Sequence, residues 1–279
     1  MNPIIKSFRM KREFIIMGLL CFSLAGFAQQ DSTANLDKSN LGDTVSNPGH
    51  MKTDHDWHQW HMHYPKHIKP ANLSTNWLVV DLGFSNFNDR TNYSGAEAQA
   101  FAPGAAENWF HLRTSKSVNV NILLFMQRLN LVKHVVNLKY GFGIELNNYR
   151  YRDNIKYLIN PTKVIMDTIS YSKNKLAADY FTVPLMLNFN FTPNIENGFG
   201  LSIGMSAGYL YSSRQKLISE EFGKHKDHDD FDLRPWKISW IAELQLGPIK
   251  LYGSLATQSM FKRGLDQVPY TVGIRFSNW

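Results

Sequence analysis

The chain has 279 residues, of which 43% are hydrophobic, 13% aromatic and 19% charged, with a formal net charge of +7. That composition excludes a collagen-like chain, a disordered tail and a disulfide miniprotein. Beyond the N-terminus no apolar run approaches the ~20 residues that a membrane-spanning helix needs, which excludes a helical membrane protein but not a membrane β-barrel, half of whose strand residues can be polar.

Residues 1–28 read as an export signal. Lys6, Arg9, Lys11 and Arg12 form a basic start, Phe14 to Phe27 an apolar core, and Gly26-Phe27-Ala28 supplies small residues where a signal peptidase cuts. Cleavage after Ala28 removes the only cysteine, Cys21, and with it disulfide or thiol chemistry. It also removes four basic residues and one acidic one, lowering the formal charge from +7 to +4. An exported chain with so modest a charge argues against nucleic acid as a partner.

Residues 29–75 are rich in Asp, Ser, Asn, Lys, His and Pro with no apolar period, and are expected to form an extended, mostly unfolded periplasmic leader. His50, His55, His58, His61, His63 and His67 crowd its second half, interleaved with Asp54, Asp56, Trp57, Trp60 and Met62. Imidazoles at that density can chelate Zn, Ni or Cu, although no fixed ligand spacing such as H-E-x-x-H accompanies them. The alternative is a solvated polar leader.

From Asn76 onward the text changes to eight stretches of two-residue alternation separated by Gly, Pro, Asn and charged clusters. In seven of them every second residue is apolar or aromatic: Leu78 to Phe84, Val118 to Met126, Val136 to Leu146, Phe181 to Phe191, Phe199 to Tyr211, Trp236 to Leu246, and Val268 to Phe276. Among the interleaved positions only Val79, Leu123, Phe125, Met186, Leu210 and Ile241 are plainly apolar. The remaining stretch, Ile249 to Phe261, is ambiguous: Leu251 and Leu255 argue for one face, Tyr252 and Ala256 for the other.

Three features put the apolar face against lipid rather than in a water-soluble core. The other face carries runs such as Gly200, Ser202, Gly204, Ser206 and Gly208, which suit a narrow lumen and not an exposed surface. Long connections (87–115, 151–175, 214–235) alternate with short ones (132–134, 192–198, Gly247-Pro248), as they do when long loops face outward and short turns face the periplasm. Aromatics gather near strand ends: Tyr149, Tyr151, Tyr180, Phe181, Tyr209, Tyr211, Trp236, Phe261 and Tyr270 toward the outer rim, Phe189, Phe191, Phe199 and Phe276 toward the periplasmic rim. Amphipathic rings favour such interfacial belts.

Eight strands leave an interior that side chains can fill, which argues against open-pore diffusion. By the alternation, Asp81, Lys139, Glu145, Glu243 and Arg275 point inward, where charges persist only when paired. Asp81 and Arg275, on adjoining first and last strands, are an expected pair. Lys237 shares their phase but sits near the outer rim, where a wet vestibule is an equal alternative. A second cluster, His225, Asp227, His228, Asp229, Asp230 and Asp232, fits a solvated loop tip better than a cation site. Gly204-Met205-Ser206-Ala207-Gly208 matches G-x-S-x-G, but inside an uninterrupted strand rather than the strand-to-helix turn that a nucleophile requires.

At FTVPLMLNFNF (Phe181 to Phe191), GLSIGMSAGYLYSSRQKL (Gly200 to Leu217) and the closing YTVGIRF (Tyr270 to Phe276), the chain resembles the outer-membrane β-barrel domain family common in Bacteroidota, the group that includes PorT-like proteins. The resemblance implies a barrel inserted by the outer-membrane barrel assembly machinery, and it suggests assistance to a secretion or envelope complex. The reading is thus an all-β chain: a signal peptide (1–28), a His-rich leader (29–75) and an eight-stranded antiparallel up-and-down transmembrane β-barrel (76–279) in the outer membrane. It is expected to be non-enzymatic, without a cofactor apart from metal at the leader, and to act structurally or by recognition through its loops. The alternatives are a soluble periplasmic lipocalin-like barrel, a lipid-modifying barrel enzyme and a narrow channel.

Overall fold

The structure, a computed structural model, describes residues 69–195 and 197–278. The signal segment, and the leader up to and including its six clustered histidines, lie outside the described residues.

The alternating stretches form eight long strands: β1 (Leu73–Asp89), β2 (Val118–Val132), β3 (Val136–Arg150), β6 (Lys173–Asn190), β7 (Phe199–Ser219), β9 (Trp236–Leu246), β10 (Ile249–Ala256) and β11 (Gln267–Phe276). Each pairs antiparallel with its two neighbours in the order β1-β2-β3-β6-β7-β9-β10-β11, and β11 returns to β1 with Asp81 opposite Arg275. Closure leaves none of the eight with an unpaired barrel edge, the condition for strands to cross hydrocarbon. Three shorter strands lie in the long connections: β4 (Ile155–Leu158) and β5 (Lys163–Met166) form a hairpin, and β8 (Gly223–His228) folds back on the far end of β7. A short α-helix, α1 (Ala96–Phe101), and two 3-10 turns (Glu107–Phe110 and Thr114–Lys116) sit in the first connection.

Apolar side chains cover the outside. Leu185, Ile203 and Val272, which a soluble barrel would hide, are 53%, 48% and 61% exposed. The ambiguous strand β10 keeps its parity throughout: Lys250, Tyr252 and Ala256 are buried inside, while Ile249, Leu251 and Leu255 face out. Outward apolar residues of β6 run from Phe181 to Phe189, nine residues, a length suited to a tilted transmembrane strand. Leu185 sits at the middle of that run. Leu185→Arg is therefore expected to cost ~2–4 kcal/mol of folding free energy, the penalty for a charge at the midplane, and a denaturant titration of lipid-refolded protein will show it as a lowered midpoint.

Alternation slips at one place. Trp77 and Leu78 are both exposed, and Leu78 has a φ of 57°; on the neighbouring strand the β2–β3 register shifts between Leu123 and Phe125. A bulge inserts one residue and reverses the phase beyond it. As a result Met126, expected outside, is fully buried inside, whereas Phe125 turns outward and meets Trp77 edge-on with ring centroids 6.2 Å apart. At the other end of the sheet Val268, also expected outside, is buried.

Glycine matters where β1 meets β11. Gly83 and Gly273 pair in register, and a Cβ on Gly273 would lie 2.3 Å from the Leu82 carbonyl oxygen, while one on Gly83 would lie 2.6 Å from that of Val272. The inner wall there has no room for a side chain, and the neighbouring inward residue across β10, in register with Gly273, is the bulky Tyr252.

Candidate functional site

Three layers fill the space enclosed by the strands. An apolar layer forms where the inward residues lack polar atoms: Val79, Leu123, Met126, Met186 and Ile241 pack together. Four of these are the apolar exceptions noted in the alternation. Of the other exceptions, Phe125 lies outside and Leu210 packs against the outer cap.

Around this layer runs a hydrogen-bonded ion network. Lys139 Nζ donates to Glu243 Oε1 at 2.5 Å and to Ser202 Oγ at 3.2 Å. Arg275 donates from Nη1 to Glu243 Oε2 at 2.5 Å, and from Nε and Nη2 to the two Asp81 oxygens at 2.7 and 2.8 Å. Asn121 donates to Asp81 at 3.0 Å and to the Tyr252 hydroxyl at 2.9 Å; that hydroxyl donates to Asn119, Asn119 to Asn147, and Asn147 to Glu145. Lys237 ends the chain with an ion pair to Glu145 and sits 4.9 Å from the centre of the Tyr180 ring. The structure thus brings together all five of the charges Asp81, Lys139, Glu145, Glu243 and Arg275, and adds Lys237. Three cations meet three carboxylates. Arg275 grips Asp81 in a fork, the arrangement that best repays desolvation of a buried ion pair.

The third layer is a cap built from all four outer connections. Phe101 and Phe110 come from the first, Ile155, Tyr157 and Val164 from the second, Phe231 and Leu233 from the third, and Met260, Phe261 and Leu265 from the fourth. Tyr157 is its hub, with ring centroids 6.3 Å from Tyr151, 5.6 Å from Phe231 and 6.2 Å from Phe261. The Tyr151 and Tyr157 hydroxyls lie 2.9 Å apart, and burial pushes both phenols well above their ordinary pKa, so the pair stays neutral. Two buried side chains of the barrel wall anchor the β4–β5 hairpin. Gln215 accepts from the Tyr157 amide at 2.9 Å and donates to the Ile155 carbonyl at 3.0 Å, and Asn174 donates to that same carbonyl at 2.6 Å.

This cap corrects part of the expected aromatic belt. Tyr149, Tyr151, Tyr180 and Phe261 are at the outer end but are buried in the cap, whereas Tyr211, Trp236 and Tyr270 face outward. The cluster around His225 is dispersed: His225 bonds Asp227 at 2.7 Å, Asp230 pairs with Lys262 and Asp232 with Arg263, both at 2.8 Å. Among the described residues no three of His, Cys, Asp and Glu gather as a metal site. Ser206 lines the lumen in mid-strand β7, with no turn beneath it to raise a nucleophile.

A cavity of about 200 Å³ at the outer end is lined by Tyr180, Trp236, Lys237, Thr257 and Met260, and the space at the ion network is smaller. A cavity of about 20 Å³ is bordered by Asp81, Glu145, Tyr252 and Arg275, room for about one water. A ligand chamber of lipocalin type needs several hundred Å³.

A closed antiparallel ring with a greasy outside and a charged, filled inside is the pattern of an outer-membrane barrel. The family of the outer membrane protein beta-barrel domain matches residues 73–268, from the first residue of β1 into β11. The chain belongs to this family. No curated protein matches it. Membership in the outer membrane protein beta-barrel domain family places the chain in the outer membrane as an integral barrel, and the soluble lipocalin-like alternative is overturned by the exposed apolar wall and the filled interior.

Proposed function

We infer that this chain, exported by residues 1–28, is a closed barrel that works through its folded outer surface, as a recognition or envelope-assembly component accessory to secretion in the manner of PorT-like proteins, and not through transport or catalysis. One observation carries this reading. The interior is sealed twice, by the ion network from Lys139 to Lys237 and by the apolar cap above it. A sealed barrel transmits no solute, and a cap drawn from four separate connections presents a defined platform to a partner outside. Catalysis finds no support in the lumen, where the Ser202 hydroxyl is held by Asn188 and Glu243 and the Thr271 hydroxyl by Tyr252.

Two measurements test this. Purified protein in planar bilayers is expected to give no unitary conductance, and steady openings would return the narrow-channel reading. Cross-linking in intact envelopes is expected to trap a partner through residues of the cap connections; a partner trapped only through the periplasmic turns would reverse the assignment.

A further inference from the structure

Above the lipid-facing band, β6 and β7 continue outward and are joined by β8. Their outward faces carry a row of basic residues in direct cross-strand register. Arg150 at the end of β3 pairs with Lys175 of β6, Lys175 with Lys216 of β7, and Lys216 with Lys226 of β8. The inward phase of the same strands is fixed by buried Asn174, Leu176, Gln215 and Leu217, so the four basic side chains share the outer face. Lys173 and Lys224, both in register with Ile218, flank the row above, and Arg214 lies below it.

Like charges placed directly opposite in a sheet destabilise it. Four in a row, at ~4.8 Å per strand, make a positive stripe about 14 Å long. Acids nearby do little to neutralise it. Asp179 is already paired with Arg214, and Asp227 lies on the other face of β8, in register with inward Gln215 and bonded to His225. Among the described residues Lys175 bonds the neutral Asn148, at 2.6 Å, and Arg150 donates from Nη2 to the Ser172 carbonyl oxygen at 2.8 Å while its buried Nε has no hydrogen-bond partner, so neither cation meets an acid. Burial, with Lys173, Arg214 and Lys216 alongside, pulls the Lys175 ammonium down to about 8. A stripe of this kind is completed by an extended anion.

Height identifies the anion. Lys175 is six residues beyond Phe181, the last outward aromatic of β6, and Lys216 five beyond Tyr211, the last of β7, which is roughly 16–20 Å along the strands at ~3.3 Å per residue and about 13–15 Å above the band for strands tilted ~40°. A phospholipid interface is only about 5–7 Å deep on each side. The row stands above it, at the level of a taller, sugar-built headgroup. We propose that Arg150, Lys175, Lys216 and Lys226 form a clasp for the phosphorylated, acidic-sugar core of outer-leaflet glycolipid. The clasp uses the outer wall of the barrel and stands independently of the role assigned to the cap.

The test places the full chain in bilayer discs containing core-bearing lipopolysaccharide, its phosphorylated lipid portion alone, or phosphatidylglycerol, and counts the lipid retained after detergent exchange. Wild type is expected to retain the core-bearing glycolipid at least ~10-fold better than either other lipid, as several charge-assisted contacts would give. The triple variant Lys175→Gln, Lys216→Gln, Lys226→Gln is expected to lose that preference. Without glycolipid the triple variant should melt no lower than wild type, because it has lost the repulsion; with glycolipid only wild type should gain stability. Equal retention by the variant, no preference over phosphatidylglycerol, equal retention of the lipid portion alone, or full stabilisation by free inorganic phosphate would each overturn the proposal.

Discussion

Arg275→Ala is expected to lower the stability of the folded barrel by ~3–5 kcal/mol, the cost of removing one partner from a buried ion network. Arg275 bonds two carboxylates at once, Asp81 and Glu243. Glu243 keeps Lys139 after the substitution, but Asp81 is left with the neutral Asn121 in a fully buried position. Arg275→Lys should fall between wild type and alanine, since one ammonium cannot reproduce the fork onto Asp81 while still reaching Glu243. The double variant Asp81→Asn, Arg275→Met should be less damaged than Arg275→Ala, because it leaves no uncompensated charge opposite β11. Urea titration of lipid-refolded barrel, followed by the mobility difference between unboiled and boiled protein on a gel, measures all three. If Arg275→Ala unfolds at the wild-type midpoint, the network contributes nothing to holding the strands together.

The Asp81–Arg275 pair was legible because ring closure obliges the first and last strands to meet, and parity then turns both residues inward. Lys139–Glu243 was not: β3 and β9 are not neighbours, and contact across the lumen depends on the stagger of the ring, which alternation does not encode. The bulge had a visible signal in the doublets Trp77-Leu78 and Leu124-Phe125, where two large apolar residues adjoin and one of them breaks the period. Parity also separates belt from cap. Tyr180 follows the phase opposite to Phe181, and Tyr149 that opposite to Leu146, so neither could join an outward belt. The cap was hidden for a different reason. Phe101, Phe110, Tyr157, Phe231 and Phe261 come from four connections with no shared period, and only the fold gathers them.

Tyr157→Ala is expected to open the cap while leaving the wall closed. Removing a fully buried ring costs ~3–5 kcal/mol, and Tyr157 touches three aromatic partners drawn from three connections. The loss stays local because the strands that cross the bilayer are held by their own ladders and by the lumen network, and local opening need not follow global unfolding. Protease added to intact cells should therefore cut between residues 151 and 172 in the variant at a concentration that spares wild type, with the urea midpoint of the barrel little changed. Tyr157→Phe keeps the ring contacts and gives up only the 2.9 Å hydroxyl bond to Tyr151, so it should resist cleavage nearly as well as wild type. The cap and the network are separate seals, so neither Tyr157→Ala nor Arg275→Ala alone should conduct in planar bilayers, whereas the two together should admit small ions. Conductance from Tyr157→Ala by itself would mean that the charged lumen is no barrier and that the cap alone keeps the barrel shut.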